Sequence, residues 1–149
     1  MRGQIGDTFH GVVWIAGKPT QTAPKGSRNR RILMGPQVIS SAMYQLPHLP
    51  IWMKPDRTGH DHNYPVGIIE KAQLVGDMIY ITGSLIAPID IGDDTMGLSY
   101  DVESAYVANP QLPDMWTVEH CLFQGVTVLK QSLGAHRTDS LFWIEANHE

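Results

Sequence analysis

Two stretches of this chain carry side chains able to do chemistry. In Gly59-His60-Asp61-His62 two imidazoles stand two residues apart. On a strand such a pair shares one face and can present two nitrogens to a metal ion. A metal site needs more ligands than two. The next acidic residue after Asp61 is Glu70, and no later His-x-His or His-x-x-x-His follows. The pattern therefore predicts no metal centre, and a solvated or hydrogen-bonded loop histidine accounts for at least one of the pair. In Met96-Gly97-Leu98-Ser99-Tyr100-Asp101-Val102 a serine enters a predicted strand. A serine hydroxyl is a weak nucleophile until a nearby base takes its proton. A neutral histidine does this near pH 7, and that base usually needs a third group to fix its tautomer and orientation. Against this stands the commoner role of a strand serine, which is to satisfy a backbone group. Other chemistries lack their motifs. There is no Gly-x-Ser-x-Gly elbow and no Gly-rich phosphate loop. Cys121 is the single cysteine, so neither an internal disulfide nor a cysteine-based zinc site can form.

The elements that must position these residues read mostly as strands. Residues 9–16 are rich in Val, Trp and Ile and end at Gly17-Lys18-Pro19, because proline cannot donate to a sheet ladder. Residues 20–31 are polar, cluster Lys25, Arg28, Arg30 and Arg31, and read as an exposed basic loop. Residues 36–46 predict a helix: Pro36 suits the first turn, and Val38, Ile39, Ala42, Met43 and Leu46 fall on one face. Residues 49–53 read as a short strand and 54–64 as the histidine-bearing loop. Strands follow over 65–74 and 78–85, joined by the hairpin signal Gly76-Asp77. Residues 87–95 are a loop with three aspartates. Strands over 97–107 and 117–129 are separated by a Pro-rich link, and 141–146 closes the chain. Many short strands with one helix predict a mostly β, antiparallel barrel or sandwich.

Composition narrows the function classes. The 149 residues, 42% hydrophobic and 17% charged, suit one globular domain spanning residues 1–149. The formal net charge of -4 carries no basic excess, so no nucleic-acid partner is predicted. No apolar run is long enough to span a bilayer, and the first seven residues lack an apolar signal core. The reading is a soluble, intracellular protein without a membrane partner or a cofactor.

Taken in order, the segments resemble the prohead proteases of tailed phages, which group with the herpesvirus assemblins. The resemblance covers roughly residues 9–144 and rests on order and spacing. A strand ending in Ala16-Gly17 leads to the basic loop, the helix, Leu49-Pro50-Ile51-Trp52, then His60-Asp61-His62-Asn63-Tyr64-Pro65-Val66-Gly67, the Gly76-Asp77 hairpin and Gly97-Leu98-Ser99. It implies an assemblin-like antiparallel barrel with one flanking helix. His60 matches the family's catalytic base, with His62 as second choice because it lies closer to Pro65. Ser99 matches the nucleophile. The third member, Glu or Asp in many phage enzymes and His in the viral ones, falls on Gly125, which has no side chain. His120, Glu119, Glu103 and Asp101 are the alternatives elsewhere. Ser132-Leu133-Gly134-Ala135-His136-Arg137 resembles the oxyanion loop, where arginines follow the glycine. Here Gly134 and Arg137 are the implied donors.

The resemblance implies a serine endopeptidase that processes scaffold and capsid-protein tails during prohead maturation, and itself. Its partners would be the major capsid protein and the scaffold protein, in the bacterial host cytoplasm, within or on the prohead; association with further copies of the chain is left open. The alternative is a protease-derived fold that no longer cuts and binds the capsid as a minor head or cement protein.

Overall fold

In residues 78–85 apolar and polar positions alternate with a period of two, and every second side chain, from Ile79 to Leu85, is buried. That pattern fixes one face of a strand to the core. The same logic repeats around the molecule. The computed structural model describes residues 1–145, in the order β1 (Arg2–Gly3), β2 (Thr8–Ile15), β3 (Arg31–Met34), α1 (Pro36–Gln45), β4 (Pro50–Trp52), β5 (Pro65–Val75), β6 (Met78–Leu85), β7 (Ile89–Asp90), β8 (Met96–Val107), β9 (Met115–Lys130), a 3₁₀ turn (Gln131–Leu133) and β10 (Leu141–Glu145). Ala146, the expected end of the last strand, lies outside the described residues. No helix among the described residues is long and apolar enough to cross a membrane.

Seven strands close into a barrel in the order β9-β4-β5-β6-β2-β10-β8, and β8 pairs back onto β9. The fold is thus mostly β, a barrel with one flanking helix. Every seam of the ring is antiparallel except β4–β9, where Ile51 and Trp52 run parallel to Val126 and Thr127. The parallel seam follows from the strand–helix–strand passage before it. β3 and β4 both run parallel to β9 along one of its edges, and α1 arches between them. The stretch of that edge left between them still needs partners, because buried backbone groups cannot go unpaired. Gln45, in the last turn of α1, supplies them: its amide nitrogen donates to the Cys121 carbonyl at 2.9 Å, and its oxygen accepts from Phe123 N–H at 2.8 Å.

The helix packs as its periodicity predicts, with Val38, Ala42 and Leu46 buried. One cluster of buried side chains joins this helix to every strand of the ring, from Phe9 and Trp14 through Ile51, Ile69 and Ile81 to Leu98, Val126 and Phe142. Gly76 opens the two-residue β5–β6 loop at φ 61°, a conformation glycine adopts without a Cβ penalty.

Residues 20–31 depart from the sequence reading. They are not wholly exposed: Thr20 and Ser27 are buried. β3 begins where a basic loop was expected to end, because its partner, Met115–Val118, is more than eighty residues away and leaves no local signal. Thr20 ties the segment to it, its hydroxyl accepting from Ile32 N–H at 2.9 Å and its carbonyl from Arg31 Nε at 2.7 Å.

The β8–β9 ladder sets what faces what. Ser99 lies opposite Thr127, and Asp101 opposite Gly125. Gly125 is there because nothing larger fits. A Cβ at this position would collide with the Pro50 carbonyl oxygen and come within 2.6 Å of the Trp52 ring. Gly125→Ala is therefore expected to destabilise the fold by about 1–3 kcal/mol, the usual cost of overpacking. Urea unfolding reads this directly, and an unchanged midpoint would refute the packing argument.

Candidate active site

The loop between β4 and β5 is tied down at several points. Met53 N–H donates to the Tyr64 carbonyl at 3.0 Å and closes its base. Asp56 accepts from the Thr58 hydroxyl at 2.7 Å, and Asp61 from Asn63 N–H at 3.0 Å. Asp61 thus shapes the turn between the two histidines. Arg57 reaches Asp94 Oδ2 at 2.8 Å, and its carbonyl accepts from Lys130 N–H at 3.0 Å, which anchors the loop to the end of β9.

Both histidines then meet one carboxylate. His60 Nδ1 lies 2.6 Å and His62 Nε2 3.1 Å from Asp101 Oδ1. The Thr127 hydroxyl donates to the other oxygen, Oδ2, at 2.6 Å. Asp101 is 8% exposed. Burial by itself would raise its pKa, but the hydrogen bonds from His60 and Thr127, the charge of His60 and the bond from His62 outweigh it and hold the carboxyl below its ordinary value. An ionised Asp101 only accepts, so His60 donates from Nδ1, and in the neutral ring this tautomer leaves Nε2 as the acceptor. His62 is held differently. Its ring stacks on Trp52 at 3.8 Å between centroids.

Ser99 stands two residues from Asp101 on β8 and shares its face of the strand. His60 and Ser99 line one cavity of about 240 Å³, and His62 is not among its lining residues. Among the described residues no direct hydrogen bond joins His60 to Ser99. The other walls are the strap of residues 22–25, Leu133 at the end of the 3₁₀ turn and Ala135 just beyond it. Gln21 clamps these walls together. Its N–H donates to the Ala135 carbonyl at 2.7 Å, and its side chain exchanges two hydrogen bonds with Thr138, at 2.6 and 2.7 Å.

The remaining sequence candidates lie elsewhere. Glu119 and His120 sit on the far arm of β9, where His120 pairs with Tyr106; Thr127 lies eight strand steps beyond Glu119, about 26 Å at ordinary rise. Glu103 is exposed at a bulge beyond Asp101. Gly134 is buried, and its N–H donates to the Gln131 carbonyl at 3.3 Å. Arg137 is exposed and does not line the cavity, whereas Ala135 does. Thr127 was not singled out from the sequence, although a lone hydroxyl in the aliphatic run 126–129 was a signal. Among the described residues no cluster of His, Cys, Asp or Glu is arranged to hold a metal ion.

No known protein family, no curated protein and no solved structure matches this chain.

Close to the cavity lies His136, 2% exposed, with neither ring nitrogen paired among the described residues. Its ring packs against Tyr100 at 5.8 Å between centroids. Burial pushes its pKa down to about 4, with Asp139 pulling weakly the other way. The folded chain therefore holds His136 neutral, while the unfolded chain takes up a proton near the ordinary value of 6.5. Stability from this group is complete above that value and is lost as pH falls towards about 4. The lowered Asp101 acts below this window, losing its contribution only as pH falls under the ordinary carboxylate range. Urea unfolding of the parent is expected to weaken steadily from about pH 6.5 to 4.5, and a His136→Gln variant to weaken less over the same window. Equal slopes would show that His136 is not held neutral by burial.

Proposed function

We propose that this chain is a serine endopeptidase in which Ser99 is the nucleophile, His60 the general base and Asp101 the carboxylate that orients it. One observation carries the reading: His60 is pinned through Nδ1 by a buried carboxylate while its ring shares a cavity with Ser99. In that arrangement Nε2 takes the Ser99 proton as the hydroxyl attacks a peptide carbonyl, and later returns it to the leaving amine. Asp101 keeps the imidazole in the tautomer the step needs and stabilises the imidazolium. The third group comes from β8, one step across the ladder from Gly125, where Trp52 and the Pro50 carbonyl leave no room for a side chain. The resemblance to prohead proteases supplies the setting: scaffold and capsid-protein tails as substrates, inside or on an assembling phage head.

The test is co-expression with the major capsid and scaffold proteins of the same phage, with product termini mapped by mass spectrometry. Cleavage is expected in the parent and absent in Ser99→Ala. Asp101→Asn, which frees His60 to adopt the wrong tautomer, is expected to slow cleavage by about 10⁴-fold. His62→Ala is expected to cost far less than His60→Ala. Cuts that persist without the Ser99 hydroxyl overturn the assignment.

A second reading, a protease-derived capsid-binding protein that no longer cuts, is favoured by the missing His60–Ser99 hydrogen bond and by the Gly134 N–H already spent on Gln131. Intact substrates in every sample, with the chain bound to assembled capsids, would establish it.

A further inference from the structure

Ser99 and Tyr100 are consecutive on β8, so they face opposite sides of the sheet. Each opens on a cavity. The second, about 280 Å³, is lined chiefly by Ile32, Met34, Tyr100, Val102, Trp116 and Val118. Its walls are fixed. Trp116 Nε1 donates to the Pro110 carbonyl at 3.2 Å, and the Arg30 guanidinium lies 4.6 Å over the Trp116 ring. Tyr100 lines this cavity, while the Tyr100 hydroxyl is itself closed off from solvent. A mostly apolar hollow is the usual make-up of a ligand pocket, and barrel mouths are a usual place for one.

The two cavities are neighbours. Pro24 and Lys25 line both, so the strap passes from one to the other over the edge of β8. The strap is free to do so because β8 has an open edge here: its pairing with β10 ends at Met96. Among the described residues no backbone hydrogen bond ties the strap to β8.

We infer that this second cavity is the subsite for a large aliphatic side chain of the peptide whose carbonyl is attacked by Ser99. A peptide lying over Pro24 and Lys25 places its reacting bond in one cavity and the aliphatic side chain in the other. The inference rests on the peptidase reading and makes the chain selective for substrates with Leu, Ile, Val or Met at one fixed position.

The experiment uses covalent probes, which separate the two ideas. A simple fluorophosphonate reports whether Ser99 is activated at all. A set of tetrapeptidyl phosphonates, with Leu moved through the four positions in a Gly and Ala background, reports the subsite. At one position Leu is expected to speed labelling of Ser99 about tenfold or more over Gly. Ala105, exposed and lining the cavity, is the site for blocking it. In Ala105→Trp the Leu preference should collapse while labelling by the simple fluorophosphonate is unchanged, which also shows that the variant is folded. A Leu preference near unity at every position, or one that survives in Ala105→Trp, overturns the subsite. Failure of the simple probe in the parent instead overturns the peptidase reading and the subsite with it. If the simple probe fails only in Ala105→Trp, the same measurement is made in Val107→Trp, which lines the cavity from the same strand.

Discussion

Asp101 is the group on which the site depends. Removing a carboxylate from water costs several kcal/mol unless donors replace the lost hydration. Here the donors come from separate parts of the chain: two histidines on the β4–β5 loop and Thr127 on the neighbouring strand. The dependence is mutual. The loop is closed at its base by Met53 and Tyr64 and braced by Arg57, yet its tip reaches the barrel through Asp101. Losing the carboxylate would release the loop, and losing the loop would leave a charge buried under one hydroxyl.

What makes room for this cluster is the absence of a side chain at Gly125. Trp52 occupies the space next to that glycine, and the same indole stacks on His62. A single ring thus fills the β4–β9 seam and steadies the second histidine. The parallel seam matters in this respect. It brings Trp52 level with Thr127 and so places the stacked histidine beside the carboxylate that Thr127 also serves.

The parts of this arrangement that were legible in the sequence are the local ones. Alternation in residues 78–85, the Gly76-Asp77 turn and the apolar face of 36–46 each depend on neighbours in the chain, and each element formed within a residue or two of its expected bounds. The parts that were not legible are set by distant pairing. β3 is four residues long, starts on an arginine and exists only because Met115–Val118 lies beside it. The two-residue pairing of β1 with β7 is the same kind of feature. Asp101 falls between these cases. Its spacing of two from Ser99 puts both on one face of a strand, which the sequence does say. That the histidine loop folds onto that face is a tertiary fact, and without it Asp101 looked no better than Glu103, Glu119 or His120.

The energetics of the cluster also bear on the choice between a working and a decayed site. Buried ionic groups are poor stabilisers: replacing them with apolar side chains of similar volume is often neutral or favourable. In a scaffold that served only to bind a capsid, a carboxylate at 8% exposure under two imidazoles and a hydroxyl would do no more than tether the β4–β5 loop. A general base needs such a group, because its tautomer and orientation must be set before the substrate arrives. The distance still missing, from His60 to Ser99, is the one that commonly tightens when a substrate excludes water from the site. The strap clamped by Gln21 forms one wall of that cavity and therefore bears on how water leaves it. On the proposed peptidase reading, the preorganised half of the cluster is thus the costly half, and the half left loose is the one a bound peptide would close.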